Sequence, residues 1–430
     1  MSTIIDVHAR EILDSRGEPT VEVEIILDDG SLGIASVPAG ASRGSHEALE
    51  LRDGDSNRYN GMGVLRAVDH VENEISEAIV GMEATDQRAV DAELISADGT
   101  ENKSNLGANA ILGASLATAK AAAKSTGLSL YSYMGGSNAH LLPTPRVNIL
   151  NGGVQQSNKV DFHEFMVIPL GATTFAEGIR WCSEVHHALR KMIEDMGLLY
   201  GVGDEGGLTA DITSNDEAFE LVKRACDQAG YELGDQIGLA MDSAAKAFYD
   251  SRSHRYVLDG EGGRELTTSQ MIDYWEERVG MYHIVSLEDP LGEEDWDGWV
   301  ELTERLGNRV QIAGDDLFAT DPTRLAKGIK MRAANAILIK LNQIGTLTEG
   351  MTAIEMARRA GYGTIISHRS GDTADTIISD LAVAVGAGQI KAGGTCRSEC
   401  IDKYNRLLRI EDELGSSASY AGARIFPQLR

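Results

Sequence analysis

The sequence has few cysteines, and they do not form a recognisable metal-binding pattern. There are only four in 430 residues: Cys182, Cys226, Cys396 and Cys400. So few thiols are typical of a reduced intracellular protein and argue against a disulfide-stapled secreted domain. The spacing Cys396-x-x-x-Cys400 could form half of a metal site, but no second Cys or His pair stands at ligand spacing, and structural zinc normally needs four ligands. We therefore expect buried or helix-surface thiols.

The sequence also lacks long hydrophobic runs. No stretch of about 18 consecutive uncharged apolar residues occurs, so a membrane-spanning helix is not expected. The N-terminus has no basic segment followed by an apolar one, which argues against a secretory signal. These absences predict a cytoplasmic protein that has no membrane partner.

Basic residues are scarce. The 39 Lys and Arg residues face 66 Asp and Glu residues, which gives a formal net charge of −27. Nucleic acids and anionic membranes would repel such a surface, so neither is an expected partner. Only 12 of the basic residues are lysine, and the first is Lys103. This composition fits adaptation to high salt and an ordinary acidic enzyme equally well, but it makes a lysine at a strand end more noteworthy.

The first third of the chain reads as a small α+β domain, which we place at residues 1–136. Residues 3–9 and 20–27 have strand patterns, and Asp28-Asp-Gly-Ser31 follows as a hairpin turn. Helical periodicity covers residues 66–80 and 105–125. Gly135-Gly-Ser-Asn138, Pro143 and Pro145 then interrupt every pattern and mark a boundary.

The remainder, residues 143–430, alternates short apolar runs with amphipathic helices. Six runs recur, mostly about 25–30 residues apart, which indicates parallel strands with crossover helices. They begin near residues 237, 283, 310, 334, 364 and 389, and extra strands are expected near 147–150 and 165–169. Eight strands would form a TIM-like (β/α)8 barrel. A doubly wound open sheet is the alternative, since the repeats alone do not show closure.

Charged side chains follow each of the six apolar runs. They are Asp242, Glu288-Asp289, Asp315-Asp316, Lys340, His368-Arg369-Ser370 and Lys391. In a parallel barrel the carboxyl ends of the strands meet on one face, where active sites lie. Clustered carboxylates need a compensating cation, and oxygen ligands favour Mg²⁺ over Zn²⁺. Two lysines facing each other would lower the pKa of at least one of them towards that of a usable base.

A Mg²⁺ ion opposite a lysine base indicates proton abstraction next to a carboxylate. The metal charge would stabilise the doubly charged enolate that such a step forms. For any one of these residues a structural salt bridge is the simpler explanation. Six of them at strand ends in register are better explained by an active site.

A glycine-rich segment imitates a dinucleotide-binding motif. Gly201-Val-Gly-Asp-Glu-Gly206 fits G-x-G-x-x-G, which requires a strand before it and a helix after it. Two acidic residues inside the turn would repel a pyrophosphate, and the residues that follow do not begin a helix. We reject the dinucleotide interpretation.

Long motifs of the chain match those of one enzyme family. They include Ala9-Arg-Glu-Ile-Leu-Asp-Ser-Arg-Gly17, Asn148-Ile-Leu-Asn-Gly-Gly153, Gly203-Asp-Glu-Gly-Gly207, Ser286-Leu-Glu-Asp-Pro290, Ser367-His-Arg-Ser-Gly-Asp-Thr373 and Gly388-Gln-Ile-Lys391. On these residues the chain resembles the enolase (phosphopyruvate hydratase) family over essentially its whole length. The resemblance implies an enolase-type barrel with one antiparallel strand and an N-terminal α+β domain.

The resemblance also implies a reaction and a set of roles. The reaction is the reversible dehydration of 2-phosphoglycerate to phosphoenolpyruvate in glycolysis and gluconeogenesis, by a carbon–oxygen hydro-lyase with two Mg²⁺ ions, the second arriving with the substrate. Lys340 would remove the C2 proton, and Glu205, with Glu164 beside it, would assist departure of the hydroxide. The implied metal ligands are Asp242, Glu288 and Asp315 for the first ion and Ser42 for the second. The implied substrate ligands, besides Lys340, are His368, Arg369, Ser370 and Lys391.

One loop departs from the family pattern. Gln155 stands where the family has a histidine, and His163-Glu164 replaces a Gln-Glu pair. A glutamine can bind phosphate, but it has no proton for acid–base transfer. Gln155 and His163 are therefore candidate substrate ligands. His163 could restore an imidazole beside Glu164, or it could be a packed histidine away from the substrate.

Three functions remain open from the sequence. The first is an active enolase, and the second is a diverged paralogue acting on a related phospho- or hydroxy-acid, or with reduced activity. The third is a binding or structural protein that has lost catalysis. The resemblance also implies a homodimer or octamer, with Glu22 and Arg424 in segments that could meet across an interface.

Overall fold

The structure is a computed structural model, and it describes residues 2–41, 43–153, 156 and 158–429. The N-terminal part contains an antiparallel sheet of three strands. They are β1 (Ile4–Leu13), β2 (Pro19–Leu27) and β3 (Leu32–Ser36), in the order β1-β2-β3. In β2 every second side chain is fully buried, from Val21 to Leu27, because alternate residues of a strand face the same side. The predicted strands and hairpin turn are confirmed.

Five helices complete this part. They are α1 (Leu65–His70), α2 (Ser76–Ile79), α3 (Gln87–Asp98), α4 (Ala108–Ser125) and α5 (Leu130–Gly135), and a π-helical turn, Val71–Ile75, joins α1 to α2. Helix α4 packs on the sheet so closely that a Cβ on Gly113 would lie 2.5 Å from Val23 Cγ2. It begins three residues later than predicted. The Asp98 carboxylate accepts hydrogen bonds from the backbone N–H groups of Asn105 and Leu106 and holds them in a turn.

Within its described residues, the second part contains fifteen strands, of which eight close into a barrel. The barrel strands are β5 (Thr144–Asn151), β6 (Glu164–Pro169), β9 (Ile237–Asp242), β13 (Ile284–Glu288), β14 (Gln311–Gly314), β15 (Ala336–Ile339), β16 (Gly363–Ser367) and β17 (Gly388–Lys391). Pairing of β17 with β5, in which Gln389 lies opposite Thr144, closes the sheet and rules out the open-sheet alternative. Strand β6 runs antiparallel to both of its neighbours, and the other contacts within the barrel are parallel.

The shorter strands lie at the margins of the barrel. They are β4 (Leu141–Leu142), β7 (Tyr200–Val202), β8 (Leu208–Ala210), β10 (Tyr249–Asp250), β11 (Arg255–Leu258), β12 (Arg264–Leu266) and β18 (Ser419–Tyr420). Strands β7 and β8 form an antiparallel hairpin, and β8 pairs with the end of β5 through Leu208 and Leu150. This hairpin contains the G-x-G-x-x-G segment, so the rejection of a strand-to-helix dinucleotide motif is confirmed.

Nine helices lie among the described residues of the second part. They are α6 (Phe175–Asp195), α7 (Asn215–Ala229), α8 (Thr268–Tyr282), α9 (Trp296–Leu306), α10 (Pro322–Met331), α11 (Leu341–Ile344), α12 (Leu347–Arg359), α13 (Ile377–Ala384) and α14 (Ser398–Leu414). Several begin with a side-chain cap, such as Thr346, whose hydroxyl accepts the Glu349 N–H at the start of α12. No helix in the described ranges is long and apolar enough to cross a membrane.

The N-terminal part covers the carboxyl end of the barrel. Residues 38–41, here called the small-residue loop, follow β3. Ala39 and Gly371 exchange two backbone hydrogen bonds of 2.7 and 2.9 Å, which fix this loop beside strand β16. Farther along the contact, Lys103 Nζ lies 2.9 Å from Glu349 Oε1 on α12. The carboxyl ends of the strands therefore face a second layer of protein and enclose a cavity with it.

Candidate active site

The six charged strand ends predicted from the sequence meet at one end of the barrel. Asp242 and Glu288 terminate neighbouring strands and lie opposite each other in the pairing of β9 with β13. Ser367 and Lys391 occupy the same position in the pairing of β16 with β17. The convergence follows from parallel pairing, which places the carboxyl ends of successive strands side by side.

One cavity collects most of these side chains. Its lining comprises Glu47, His163, Glu205, Asp242, Ala244, Asp289, Asp315, Asp316, Lys340, Ser367, His368, Arg369, Ser370 and Lys391. Glu164 and Glu288 are absent from this lining, and both are completely buried. Each is nevertheless in ion-pair contact with Lys391, which does line the cavity. Every described candidate site residue therefore lies in the cavity wall or directly behind it.

Lys391 is the central cation of the site. Its Nζ lies 2.8 Å from Asp242 Oδ2 and 2.7 Å from Glu288 Oε1, and it also contacts Glu164. Burial alone would lower the pKa of this ammonium, but the surrounding carboxylates, Asp242 first among them, raise it well above the ordinary value. Lys391 is therefore charged and neutralises part of the carboxylate cluster.

Lys340 makes an ion pair with Asp315. Burial works to lower the pKa of Lys340, and Arg369 and Lys391 act in the same direction, but Asp315 outweighs them and raises it. The expectation that two facing lysines would lower the pKa of one of them is wrong for this arrangement. Both ammonium groups touch carboxylates, which dominate over the repulsion between the lysines.

The buried carboxyls differ in their protonation. Burial and the charge of Asp242 raise the pKa of Glu288 to about 8, and burial raises the pKa of Glu164 to about 7. Burial acts on Asp242 too, but contacts with Lys391 and His163 hold its pKa well below the ordinary range. The cluster therefore does not ionise completely at neutral pH, as expected for carboxylates packed together.

His163 lies inside the cavity, between two acidic side chains. Its Nε2 is 3.1 Å from Glu205 Oε2, and its Nδ1 is 3.5 Å from Asp242 Oδ2. Burial opposes the charged ring, but the two carboxylates raise the pKa of His163 well above its ordinary value. Burial would also raise the pKa of Glu205, but the charge of His163 and its hydrogen bond lower it to about 2. His163 is therefore not packed away from the site.

A tight turn presents Glu205 to the cavity. The turn connects β7 to β8, and Gly206 adopts φ +80° in it. The Gly203 N–H donates to Gly207 O at 2.8 Å, and the Gly394 N–H donates to Glu205 O at 2.8 Å. The second bond connects the turn to the segment after β17, so two parts of the barrel fix the position of the carboxylate.

The segment after β16 supplies an imidazole, a guanidinium and a hydroxyl. Burial lowers the pKa of His368 to about 3, so its ring is neutral. Arg369 Nη1 lies 2.9 Å from Glu47 Oε2, and this ion pair connects the barrel to the N-terminal part. Ser370 Oγ accepts a 2.8 Å hydrogen bond from the Ala41 N–H. The three residues therefore lie where the small-residue loop meets the barrel.

Two family models match the chain. The model described as the enolase N-terminal domain matches residues 4–134, and that described as the enolase C-terminal TIM barrel domain matches residues 139–429. The chain belongs to the enolase family. The predicted family and the predicted barrel with its N-terminal domain are confirmed, and the fold is that of enolase-superfamily enzymes of lyase or isomerase type.

The carboxylates of this enolase-type site fit a hard divalent cation. Asp242, Glu288 and Asp315 offer oxygen ligands on three successive strands, and Glu288 Oε2 has no hydrogen-bond partner among the described residues. The most compact carboxylate group is instead Asp289, Asp315 and Asp316, whose oxygens lie within 4.8 Å of one another. Asp289 already accepts the N–H groups of the other two, so we favour the predicted set.

Two predicted enolase residues fall outside the described part of the chain. They are Ser42, the expected ligand of a second ion, and Gln155, which replaces the family's loop histidine. Their assignments stay predictions.

Several residues of the enolase-type site were not singled out from the sequence. Glu47 pairs with Arg369, and Asn148 donates to Glu164 Oε1 at 2.8 Å. Arg146 is fully buried behind the site, with Nη2 3.9 Å from Glu288 Oε2 and 3.0 Å from Ser286 Oγ. Asn148 begins one of the recognised motifs, which could have drawn attention to it. Arg146 gave no signal, because a single arginine in an apolar strand does not reveal what it faces.

Proposed function

We propose that the chain is a Mg²⁺-dependent enolase that converts 2-phosphoglycerate reversibly to phosphoenolpyruvate. The observation that carries this proposal is the single cavity lined by Lys340, Glu205 and the metal-ligand candidates Asp242 and Asp315. Such a cavity brings together a base, an acid and carboxylates for a divalent ion, which removal of a weakly acidic proton and of hydroxide both require.

Lys340 is the proposed base for the C2 proton. Burial, Arg369 and Lys391 all favour its neutral amine, and Asp315, with a smaller contribution from Glu288, outweighs them. A cation that takes over the Asp315 carboxylate would therefore allow Lys340 to lose its proton. When bound, Mg²⁺ would be held by Asp242, Glu288 and Asp315 and would supply positive charge to the substrate carboxylate as the enolate forms.

Glu205 is the proposed acid at the C3 hydroxyl. Its carboxyl is ionised beside His163, so the pair of residues together holds the proton that the leaving hydroxide needs. Glu164, whose pKa is raised by burial to about 7, is a second candidate proton donor near Glu205. His163 would therefore take part in proton transfer. Gln155, which replaces the family's loop histidine, cannot do so because it has no proton for acid–base transfer.

The basic and polar groups of the cavity are the proposed anion ligands. Arg369 and Ser370 would bind the phosphate, and Lys391 the carboxylate end of the substrate, since a guanidinium can hold phosphate oxygens in pairs. The neutral ring of His368 would lie near the leaving hydroxyl, where a charged ring would be opposed by the neighbouring lysines.

A coupled assay of phosphoenolpyruvate formation with Mg²⁺ tests the proposal. We expect turnover by the wild type and a loss of about 10²–10⁴-fold in Lys340→Ala, because the general base is removed. Lys191→Ala, at an exposed residue of α6, is the matched control and should keep full activity. No turnover above the Lys340→Ala level would reject the enolase proposal.

A diverged paralogue is the second candidate, and Gln155 and His163 are the residues that favour it. The observation that supports a paralogue is that His163 contacts Glu205 and Asp242 inside the cavity. An imidazole would therefore lie near the substrate where the family has a glutamine. Profiling related phospho- and hydroxy-acids separates the two candidates, because a clear preference for 2-phosphoglycerate would eliminate the paralogue. Loss of catalysis altogether is less well supported, since the buried ionic cluster is costly to keep without a function.

We also propose a cytoplasmic homodimer, with an octamer as the alternative assembly. All four cysteines are free, which supports a reducing compartment. Within the chain, Glu22 already pairs with Arg10 at 2.7 Å, and the Arg424 guanidinium donates to Ser419 Oγ. Light scattering on the purified protein should give about twice the 46.2 kDa chain mass for a dimer. A mass equal to one chain would contradict the assembly proposal.

A further inference from the structure

A buried arginine reaches across the interior of the barrel beneath the carboxylate cluster. Arg146 lies on β5, and β6 and β9 separate that strand from β13, which carries Glu288. In the pairing of β17 with β5, Arg146 lies opposite Lys391. The Arg146 side chain is completely buried, and an arginine keeps its charge in proteins. A buried charge is costly unless other groups compensate it, so the contacts of Arg146 indicate its role.

Two neutral side chains hold the guanidinium of Arg146. Its Nη2 donates to Ser286 Oγ at 3.0 Å, and its Nη1 donates to Gln311 Oε1 at 3.3 Å. Ser286 and Gln311 lie opposite each other in the pairing of β13 with β14. The planar fork of the guanidinium is therefore fixed on two adjacent strands.

The same guanidinium faces the Glu288 carboxylate without a hydrogen bond to it. Arg146 Nη2 lies 3.9 Å from Glu288 Oε2, which is within ion-pair distance but beyond hydrogen-bond distance. Glu288 Oε1 accepts from Lys391 Nζ at 2.7 Å, whereas Oε2 has no hydrogen-bond partner among the described residues. Ser286 and Gln311 thus hold Arg146 where it attracts the carboxylate but leaves lone pairs of Oε2 free for a cation.

We propose that Arg146 is a positioning residue that holds Glu288 in the orientation in which it binds a divalent cation. Lys391 Nζ contacts both Glu288 and Asp242, so an ion held by these two carboxylates would replace that ammonium. Arg146 would then be the remaining basic side chain paired with Glu288 among the described residues. This role rests on the proposed function, in which Glu288 is a ligand of the first Mg²⁺.

A role in packing alone explains the contacts of Arg146 less well. Ser286 Oγ donates to Gln311 Oε1 at 3.0 Å, so these two side chains already satisfy each other. Arg146 Nε has no hydrogen-bond partner among the described residues. An apolar side chain at position 146 would therefore leave Ser286 and Gln311 paired and would remove the charge that faces Glu288.

Calorimetric titration of the chelator-treated full-length protein with Mg²⁺ tests the role. We expect Arg146→Met, which removes the charge, to weaken Mg²⁺ binding by about 10–100-fold, as the loss of an outer-shell partner does at metal sites. Arg146→Lys keeps a positive charge and should restore part of the affinity. Gln389→Met is the matched control and should bind Mg²⁺ like the wild type, because Gln389 is another buried polar side chain on a barrel strand.

The Mg²⁺ dependence of turnover distinguishes positioning from a general structural defect. Arg146→Met should need a higher Mg²⁺ concentration for half-maximal rate, in proportion to its weaker binding, and should approach the wild-type kcat at saturating Mg²⁺. A structural defect would lower kcat at every Mg²⁺ concentration. Thermal unfolding in chelator shows whether Arg146→Met folds. If it does not fold, Ser286→Ala decides, since it releases Nη2 and should weaken Mg²⁺ binding to a smaller extent.

Three results would overturn the role of Arg146. They are an unchanged Mg²⁺ affinity in folded Arg146→Met, an equal loss of affinity in Gln389→Met, and a wild-type protein that binds no Mg²⁺. A protein that binds Mg²⁺ but does not convert 2-phosphoglycerate would instead reject the proposed function. The calorimetric comparison of the variants would then still decide whether Arg146 positions Glu288.

Discussion

The protonation of single buried carboxyls decides the charge of the cavity at neutral pH. Glu288 is completely buried, and burial together with Asp242 raises its pKa from 4.5 to about 8. Lys391 and Arg146 oppose this shift, but they do not overcome it. A carboxyl whose pKa is raised binds its proton more tightly in the folded protein than in the unfolded chain.

The pH dependence of stability tests this assignment. Between about pH 4.5 and about pH 8 the Glu288 carboxyl is ionised in the unfolded chain but protonated in the folded protein, which costs the folded state up to about 1.4 kcal/mol per pH unit. Glu288→Gln avoids that cost. In chelator, we therefore expect the stability of the variant relative to the wild type to increase between pH 5.5 and pH 7.5, measured by urea unfolding.

The control for Glu288→Gln is Glu101→Gln at an exposed position. Its difference from the wild type should stay constant over the same pH range. A constant difference for Glu288→Gln as well would show that folding does not raise the pKa of the Glu288 carboxyl.

At the scale of elements, the hairpin of β7 and β8 decides where Glu205 stands. Gly206 has φ +80°, and a Cβ there would lie 2.8 Å from Gly394 N, so both the conformation and the space demand glycine. Gly230, which ends α7, has a similar φ of +84° but open space around it. A comparison of substitutions at the two positions therefore distinguishes the effect of backbone strain from the effect of crowding.

Alanine at these two positions should have different effects. Gly230→Ala should cost about 1–2 kcal/mol of stability from the left-handed backbone alone and leave kcat unchanged. Gly206→Ala should cost more and reduce kcat at least about 10-fold, because the turn must move away from Gly394 and takes Glu205 with it. Thermal unfolding and the coupled assay measure both, and equal kcat values for the two variants would contradict a positioning role of the turn.

At the scale of the whole molecule, two contacts connect the N-terminal part to the barrel at different distances from the cavity. Glu47 lines the cavity, pairs with Arg369 and accepts the Gly44 N–H at 2.9 Å. Lys103 and Glu349 form a comparable pair that does not line it. The first contact orders the loop over the site, and the second only holds the two parts together.

Replacing the glutamate of each ion pair by glutamine should distinguish an effect on substrate binding from an effect on protein stability. Glu47→Gln should raise KM for 2-phosphoglycerate, because the variant lacks the carboxylate that pairs with Arg369 and accepts the Gly44 N–H. Glu349→Gln should lower the melting temperature but leave KM unchanged. Steady-state kinetics and thermal unfolding of both variants measure this, and an unchanged KM in Glu47→Gln would remove the loop contact from substrate binding.

Local patterns predicted the strands and the site residues at their ends because each depends on neighbours in the sequence. Apolar runs of β-branched residues form strands wherever a parallel sheet is covered on both faces, and Asp242 or Lys340 follows such a run directly. Long-range partners were not predictable in this way. The contact of Glu47 with Arg369 joins residues 322 positions apart, and nothing near either residue indicates the other.

The sequence by itself determined the family, the alternation of strands and helices, and which charged residues end the strands. Tertiary structure alone decided that the sheet closes, through β17 and β5, and that His163 lies between Glu205 and Asp242. It also decided that both lysines are held charged. Secondary structure follows from residues a few positions apart, whereas pKa values and ligand pairs depend on groups that only folding brings within a few ångströms.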